Sequence, residues 1–288
     1  MGTYEDVTNR IVTAIETGAA RPDGWKMPWH TAGGGRPVNV LTGRTYTGVN
    51  TLNLWMDMQQ KGYASPVWGT LRQWNEAGAK VRRGERSSLV VFWKDLPKKE
   101  AAGDDEDAGK RFVLKTSYAF NAAQVEGYEQ PETVAVPRDA TAAQSLVHVA
   151  GIELRFGGGR AYYHQTLDYV AMPARGDFFT DAGFQSTLLH EAAHWTGHHK
   201  RLAREFGKRF GDQAYAFEEL VAELAAAFLC ADLGVSNEPR DDHASYVANW
   251  LRVLKSDPRA IFTAASQASK AAEFLLAFHA KEKCKEAA

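Results

Sequence analysis

The sequence predicts an α+β protein with two domains, an N-terminal α+β domain over residues 1 to 130 and a C-terminal, mostly helical domain with a small sheet over residues 141 to 288. Three observations lead to this prediction. The chain has 288 residues, which exceeds the length of most single domains. In the second half, short β-branched segments precede a run of helical patterns, an order typical of α+β domains. Residues 131 to 140 contain two prolines among charged and small residues and are predicted to be the linker.

The N-terminal domain is expected to open with an amphipathic helix over residues 3 to 18. Val7, Ile11 and Ile15 recur there at helical spacing, and Gly18 predicts the end of the helix. Residues 25 to 48 are dense in Gly, Pro, Asn and Thr, which indicates loops. The other predicted elements of this domain are helices over 51–61 and 68–77, strands over 88–93 and 112–121, and a mobile acidic hairpin tip over 97–110.

The C-terminal domain is expected to place a small sheet before four helices. Short β-branched and aromatic segments lie on both sides of a run of three glycines, and the segments that follow have helical periodicity. The predicted elements are a helix over 142–150, strands over 152–156, 161–164 and 169–173, and helices over 181–198, 215–233, 241–255 and 258–283.

Cysteine usage and hydropathy predict a cytoplasmic protein that makes no contact with a membrane. Only two cysteines occur, Cys230 in an apolar run and Cys284 in a polar tail, and this usage suits a reducing compartment. No stretch approaches the roughly 18 unbroken apolar residues of a spanning helix, and the first residues lack the basic and apolar regions of a signal peptide.

The segment His190-Glu191-Ala192-Ala193-His194 carries the strongest chemical signal. On a helix, two histidines four residues apart project from the same face and can share one metal ion. Glu191 then lies beside them and can act as general base toward a metal-bound water, whose pKa the metal lowers to roughly 7. The alternative is a chance pentapeptide on an ordinary surface helix.

The third metal ligand is expected to come from a later helix. A metzincin would place its third histidine at position 200, where this chain has Lys200. A gluzincin needs a glutamate on a following helix, and we expect Glu219 to fill this role. Glu223, one turn later, can accept a hydrogen bond from a ligand histidine, whereas Glu218 is expected to face water. The alternative is that Glu219 and Glu223 form the solvated face of an amphipathic helix.

The expected ion is Zn²⁺, although two histidines and one glutamate also accept Mn²⁺ or another divalent metal. His198 and His199 are expected to be surface groups or outer partners of the ligands. Tyr162 and Tyr163 could donate a hydrogen bond to a transition state, but strand packing is the commoner role for such a pair.

The first half combines basic and aromatic residues in a way that favours a single-stranded DNA partner. Residues 1 to 125 contain 17 Lys and Arg against 13 Asp and Glu, and six of the eight Trp lie in the first hundred residues. Single strands are bound by aromatic stacking together with neutralisation of phosphates. The alternative is that these aromatic side chains form the core. The expected DNA-binding residues are Trp29, Asn39, Arg44, Tyr46, Asn50, Lys80, Arg82 and Arg83.

Both halves together resemble the ArdC antirestriction family of mobile plasmids over nearly the whole chain. The segments that carry the resemblance are Pro37-Val38-Asn39, Thr42-Gly43-Arg44-Thr45-Tyr46-Thr47-Gly48-Val49-Asn50, Gly78-Ala79-Lys80-Val81-Arg82-Arg83-Gly84-Glu85, Thr187 to His198, and Glu218 to Glu223. The resemblance implies an N-terminal single-stranded DNA-binding domain, also found in TraC-type plasmid primases, and a C-terminal zincin-like domain similar to SprT-type DNA-linked proteases. It also implies a role in protecting incoming plasmid DNA from restriction.

Three functions are compatible with these residues. The first is a protein that coats single-stranded DNA, with the metal site in a subsidiary role. The second is a DNA-recruited metallopeptidase that cleaves a protein substrate, and Glu191 favours it because a purely structural site has no use for a carboxylate beside an open coordination position. The third is a metallopeptidase with no DNA contact, which the Trp-rich and Arg-rich first half disfavours.

Overall fold

The structure, a computed structural model, describes residues 2–20, 27, 29–30, 35–95, 112–129, 141–207, 212–237 and 243–286. The predicted linker 131–140 and the predicted hairpin tip 97–110 lie outside the described residues. The described helices are α1 (Thr3–Ala19), α2 (Val49–Lys61), α3 (Leu71–Glu76), α4 (Ala142–Val149), α5 (Asp181–Thr196), α6 (Gln213–Leu233), α7 (His243–Ser256) and α8 (Ala260–Glu286).

The described strands form three small sheets. The strands are β1 (Val38–Asn39), β2 (Val67–Gly69), β3 (Lys80–Val81), β4 (Ser88–Asp95), β5 (Phe112–Asn121), β6 (Val125–Glu126), β7 (Glu153–Phe156), β8 (Tyr162–His164) and β9 (Tyr169–Met172). Their orders are β1-β2-β5-β4, β3-β6 and β7-β9-β8. The pairs β1–β2 and β7–β9 are parallel and the others antiparallel. Helices with small sheets confirm the predicted α+β class.

Most predicted elements occur within a few residues of their predicted bounds, but the helix predicted over 68–77 is wrong at its start. Trp68 lies in β2, where it pairs with both β1 and β5. The helix begins only at Leu71, because Thr70 caps it. The Thr70 hydroxyl accepts a hydrogen bond from the Gln73 amide, and the Gln73 side chain accepts one from the Thr70 amide. Strand pairing from distant segments therefore outweighs the helical pattern at Trp68.

One buried apolar cluster runs through both halves of the chain. It includes Ile11 and Trp55 from the first half and Leu188, Leu220 and Leu275 from the second. Helix α6 lies in its middle and packs against α5, α7 and α8. In the residues that the structure describes, the two predicted domains therefore share a core. No helix among these residues is both long and apolar enough to cross a membrane.

A largely buried ion pair also joins the two halves, with the side chains of Arg36 and Asp232 5% and 16% exposed. Arg36 donates to both carboxylate oxygens of Asp232 on α6, over 2.8 and 2.6 Å. The Arg36 guanidinium also lies 5.7 Å from the centre of the Phe228 ring. A second pair across the halves, between Lys255 on α7 and Glu16 on α1, lies on the surface.

We expect Arg36→Met to lower the free energy of unfolding by about 3 kcal/mol, because it leaves the Asp232 carboxylate buried without its cation. Lys255→Met is the matched control, and the loss of its exposed pair should cost less than about 1 kcal/mol. Urea unfolding at pH 7 measures both. Equal losses for the two variants would show that the buried pair does not hold the halves together.

Candidate metal centre

Helix α5 carries the two histidines inside the protein. Thr180 caps the helix by accepting a hydrogen bond from the Gly183 amide over 2.9 Å. Every residue from Phe184 to Thr196 is buried, so this part of the helix has no water-facing side. His190 and His194 lie one turn apart with their rings 4.8 Å apart. The pentapeptide is therefore not on an ordinary surface helix.

Helix α6 brings Glu219 to the same point. The Nε2 atoms of His190 and His194 are 3.2 Å apart. The Glu219 carboxylate oxygens lie 3.5 Å from His190 Nε2 and 3.6 Å from His194 Nε2. Ligands that bind zinc tetrahedrally at 2.0–2.1 Å are separated from one another by about 3.3 Å, so the spacing of these three donors fits a metal ion. Among the described residues, this is the group whose donor atoms converge in this way.

Electrostatics keep Glu219 ionised in this position. Burial raises the pKa of Glu219, but the neighbouring His194 and His190 and a hydrogen bond from Tyr215 outweigh it and lower the pKa to about 2. The carboxylate is therefore available as a ligand at neutral pH. The same donors satisfy the need of a buried carboxylate for partners.

The sequence predicts that Glu218 faces water, and this prediction is wrong. The residue is buried, with 2% of its surface exposed. Its Oε1 lies 3.2 Å from His194 Nδ1. Arg204 donates to both of its carboxylate oxygens, over 2.9 and 2.8 Å. Burial raises the pKa of Glu218, but Arg204 and His194 lower it further than burial raises it. The expectation failed because α6 is enclosed on the side of Glu218 by α5 and Arg204.

The turn after α5 has room for Arg204 because residue 197 is glycine. Arg204 donates to the Thr196 hydroxyl over 2.8 Å and to the Ala193 carbonyl over 2.7 Å. A Cβ atom at Gly197 would lie 2.8 Å from the Arg204 Nη2 atom and from the Phe206 ring. Any side chain at this position would therefore press on the group that holds Glu218.

Glu223 occupies the corresponding place behind His190. Its Oε2 lies 3.6 Å from His190 Nδ1. Its Oε1 accepts hydrogen bonds from Trp29 Nε1 and His30 Nε2, over 3.1 and 3.0 Å. Trp29, which we expected to stack on DNA bases, is only 1% exposed. This expectation is wrong, because the indole ring is buried in the core and its N–H donates to Glu223.

A cleft of about 990 Å³ runs past the three candidate ligands. Glu191 is 3% exposed and lines this cleft. Tyr215 and Tyr246 also line it, with their hydroxyl oxygens 3.2 Å apart. Phe179 at its edge is 99% exposed. The cleft therefore gives a polymer or a side chain access to the carboxylate beside the histidines.

The strand β8 forms one wall of the cleft and is fixed to the loop after α5. Tyr163 donates to Asp168, and Arg201 donates to the same carboxylate over 3.0 Å. The Arg201 guanidinium also lies 3.7 Å from the centre of the Trp195 ring. Tyr163 is half-buried against the core, and its hydroxyl is bonded to Asp168 and Arg201. His198, which was expected at the surface or beside a ligand, is buried and accepts a bond from the Lys200 amide.

The expected DNA-binding residues other than Trp29 include some that are used inside the fold and some that are exposed, and Arg82 is both. Asn39 and Asn50 use their side chains inside the fold. The Asn39 side-chain oxygen accepts hydrogen bonds from the backbone amides of residues 41 and 42. The Asn50 side chain donates to the Val91 carbonyl and accepts from the Val91 amide. Tyr46 is half-buried against Asn39. Arg82 holds Glu85 and donates to the Val125 carbonyl. Exposed side chains in this set are those of Arg44, Lys80, Arg82 and Arg83.

Three groups that hold the buried acids went unrecognised in the sequence, Arg204, His30 and Tyr215. Arg204 and His30 reach their carboxylates through contacts between segments that are distant or irregular, so neither belongs to a periodic pattern. Tyr215 lies one turn before Glu219 on α6. The one available signal was the position of Arg204 in the turn after the histidine helix, where a cation can compensate buried acids.

Comparison with known proteins shows that each half of the chain matches a known domain family. Residues 1–120 match the family model for the N-terminal domain of anti-restriction factor ArdC, and residues 141–267 match the model for a zincin-like metallopeptidase. The crystal structure of antirestriction protein ArdC from plasmid R388, in its metal-free form, is 38% identical and superposes with a TM-score of 0.81 over 98% of this chain and 99% of that chain. The chain belongs to the ArdC antirestriction family.

Other relatives of this ArdC-family chain differ in length. A protein of Sinorhizobium fredii (strain NBRC 101917 / NGR234), y4eC, is 44% identical over 281 residues, which cover 94% of this chain and 91% of that protein. DNA primase TraC of Escherichia coli is 34% identical over 97% of this chain, but the match spans only 27% of the primase. A Mn(II)-bound structure of R388 ArdC is 37% identical, with a TM-score of 0.78 over 96% of this chain and 98% of that chain.

The Asp168–Arg201 pair should make the wall of the cleft sensitive to acid. Hydrogen bonds from Arg201 and Tyr163 lower the pKa of Asp168 from 3.8 to about 2, with Arg201 as the larger cause. Burial acts in the opposite direction and raises this pKa, but by less. A carboxylate with a lowered pKa in the folded state stabilises the fold above its unfolded pKa. That stability is lost as the pH falls through the folded value.

We therefore expect Asp168→Asn to lower the free energy of unfolding by about 1 kcal/mol at pH 7, after allowance for partial exposure. Asparagine tolerates the positive φ of 55° at this position, so the change removes the charge and one of the two acceptor oxygens without straining the backbone. The difference from the wild type should shrink as the pH falls from about 4 toward 2. Thermal unfolding across this range measures it, with Asp181→Asn in an exposed pair as control. A difference that stays constant with pH contradicts the assignment.

Proposed function

We propose that this protein binds single-stranded DNA through its N-terminal half and holds one divalent metal ion at His190, His194 and Glu219. The observation that carries the metal proposal is the convergence of donor atoms: the two histidine Nε2 atoms are 3.2 Å apart, and one Glu219 oxygen lies 3.5 Å from His190 Nε2 and the other 3.6 Å from His194 Nε2. Zinc is the ion we expect, since two histidines and a glutamate are a ligand set of catalytic zinc sites. Manganese is the alternative, because R388 ArdC has a Mn(II)-bound structure.

The choice of Glu219 rather than Glu218 as ligand rests on their neighbours. Glu218 has a permanent cation, Arg204, on both of its carboxylate oxygens. The described groups against Glu219 are His190, His194 and Tyr215, none of which carries a permanent charge. A buried carboxylate with neutral partners gains most from a nearby cation. The charge of a divalent ion therefore belongs beside Glu219.

The other residues of the site support this ion without binding it. Glu218 and Glu223 face the Nδ1 atoms of His194 and His190, and such outer carboxylates fix the ring orientation and the tautomer of a ligand histidine. When bound, the ion supplies Lewis-acid polarisation to a group in the cleft. Glu191 lies in the cleft as a base that can accept a proton there.

The DNA proposal is supported by exposed cations and by exposed aromatic side chains on the β4–β5 hairpin. Arg44, Lys80 and Arg83 are exposed and can neutralise phosphates. Trp93 is 54% exposed and Tyr118 58% exposed. The strand register, with Trp93 opposite Leu114 and Tyr118 opposite Leu89, places them on the same face of the hairpin. These rings, rather than Trp29, are the candidates for base stacking.

For the DNA-binding surface we expect Arg44→Ala combined with Arg83→Ala to weaken binding to an unstructured oligonucleotide. The slope of log K against log salt should fall by about 1.4, since each phosphate contact with a single strand contributes about 0.7. Fluorescence anisotropy at several salt concentrations measures it on the full chain. Arg82 is left intact because it holds Glu85 in the fold.

The control removes two exposed positive charges from the other half of the chain, with Arg252→Ala combined with Lys270→Ala. Its salt slope should equal that of the wild type. A slope unchanged by the Arg44 and Arg83 substitutions rejects this surface, and equal losses in both double variants would indicate a general charge effect.

A second candidate function is that of a DNA-recruited peptidase, and the position of Glu191 favours it. This carboxylate is buried next to His190, and it lines a cleft that also holds Tyr215 and Tyr246. In peptide hydrolysis a water oxygen adds to the carbonyl carbon, the C–N bond breaks, and a base passes the water's proton to the leaving amine. Glu191 is the group of this chain that fits the role of the base.

Two matched variants separate metal binding from proteolysis. Glu219→Ala should lower the affinity for Zn(II) and Mn(II) by more than about 100-fold, since the loss of an outer partner alone typically costs 10- to 100-fold. Glu191→Gln should leave metal and DNA binding unchanged and abolish any cleavage of proteins bound near single-stranded DNA. Calorimetric titration of chelator-treated protein and gel assays measure the two effects.

Wild-type affinity in Glu219→Ala would remove Glu219 from the ligand set. Cleavage that survives in Glu191→Gln would remove the proposed base. If the wild type binds metal and DNA but cleaves no protein in these assays, the first function stands without the second.

A further inference from the structure

The two candidate histidine ligands are supported from different parts of the chain. Behind His194, Glu218 is held by Arg204, which belongs to the same half of the protein. Behind His190, Glu223 is held by Trp29 and His30, which lie 194 and 193 residues away in sequence. The first support is therefore internal to the C-terminal half, and the second comes from the N-terminal half.

Both N-terminal groups act on the same carboxylate oxygen. The Oε1 atom of Glu223 accepts from Trp29 Nε1 at 3.1 Å and from His30 Nε2 at 3.0 Å. The other oxygen, Oε2, is the one that lies 3.6 Å from His190 Nδ1. Two donors on one oxygen fix the plane of the carboxylate, and the second oxygen is thereby aimed at His190.

The tautomer of His30 is set by the backbone beside it. The Met27 amide donates to His30 Nδ1 over 3.2 Å, so this nitrogen is an acceptor. In a neutral imidazole the proton is then on Nε2, which is the atom that faces Glu223. The side chains of His30 and Glu223 are 2% and 3% exposed, so water contributes little to holding the carboxylate.

The segment that carries these two donors is itself packed onto the C-terminal helices. The Trp29 ring lies 6.3 Å from that of Trp250 on α7, and the Trp29 carbonyl accepts a bond from Asn237 over 3.4 Å. These contacts fix the two donors with respect to α6 independently of their hydrogen bonds to Glu223.

We propose that Trp29 and His30 are positioning residues for His190, acting through Glu223, so that the N-terminal half completes the metal centre. This inference rests on the proposed metal site. An outer carboxylate raises the basicity of a ligand histidine and fixes its orientation, and removal of such a partner typically weakens metal binding 10- to 100-fold. A buried carboxylate that loses its donors turns toward others. His190 Nδ1 then loses the carboxylate oxygen that lies 3.6 Å from it.

The first test compares Trp29→Phe with Trp74→Phe in the full chain. Trp29→Phe keeps the aromatic ring and removes the N–H donor, and we expect Mn(II) to bind about tenfold more weakly. Trp74→Phe also removes a buried indole N–H, which bonds the Phe120 carbonyl over 2.9 Å in a separate cluster, and should leave Mn(II) affinity unchanged. Electron paramagnetic resonance of free Mn(II) and competition of Zn(II) with a chromophoric chelator measure affinity.

The same measurements on His30 variants test the second donor. His30→Leu should weaken Mn(II) binding about tenfold. His30→Gln places an amide N–H near the position of Nε2 and should restore most of the affinity. A purely structural role for His30 predicts no such recovery of affinity at equal thermal stability.

A double-mutant cycle tests whether the effect passes through Glu223. If it does, Trp29→Phe should change Mn(II) affinity by less than about twofold in a Glu223→Gln background, although it weakens binding about tenfold on its own. Additive losses would overturn the inference. A wild type that binds no metal overturns the proposed metal site itself, whereas wild-type affinity in Trp29→Phe and His30→Leu overturns only the role of these two residues.

Discussion

Helix α6 carries three carboxylates inside an apolar core, those of Glu218, Glu219 and Glu223, and the arrangement of the rest of the site follows from their need for partners. They are 2%, 6% and 2% exposed. A buried carboxylate is tolerated only with hydrogen-bond donors or a cation. The donors come from α5, from the turn after it, and from the N-terminal segment that contains Trp29 and His30. These segments meet at α6 and supply the hydrogen-bond partners of its buried acids.

This constraint explains features that are otherwise unrelated. Arg204 can reach Glu218 only across residue 197, where a Cβ atom would lie 2.8 Å from its guanidinium, and this position is glycine. The two histidines of α5 lie between carboxylates on both sides of their rings. Of the two neighbouring acids Glu218 and Glu219, Glu218 has the permanent cation Arg204 on both of its oxygens, whereas the described groups against Glu219 carry no permanent charge. The ionic network thus sets both the shape of the core and the place where a cation is most stabilising.

The sequence predicted those features that depend on local pattern. Helical spacing gave α1, α2, α5 and α6 within a few residues, and the spacing of His190 and His194 predicted their common face. The failures all concern long-range contacts. Trp68 has a helical neighbourhood but pairs with two strands, Trp29 has loop neighbours but bonds α6, and Glu218 follows an amphipathic pattern on a helix that is enclosed. No residue near them in sequence carries that information.

The shared core also determines which part of the fold gains stability when a metal ion binds. A ligand that binds only the folded state adds RT ln(1 + [L]/Kd) to its stability, about 2.7 kcal/mol at one hundred times Kd. Because Glu223 is held from the N-terminal half, that free energy acts on the contact between the halves and not on the C-terminal helices alone. The Arg36–Asp232 pair joins the same helix to the same half, so α6 links the candidate metal centre to the N-terminal half through two polar contacts. If the halves were independent, the partners of all three acids would lie within the C-terminal half. Only some of them do, such as His194 and Arg204, the described partners of Glu218.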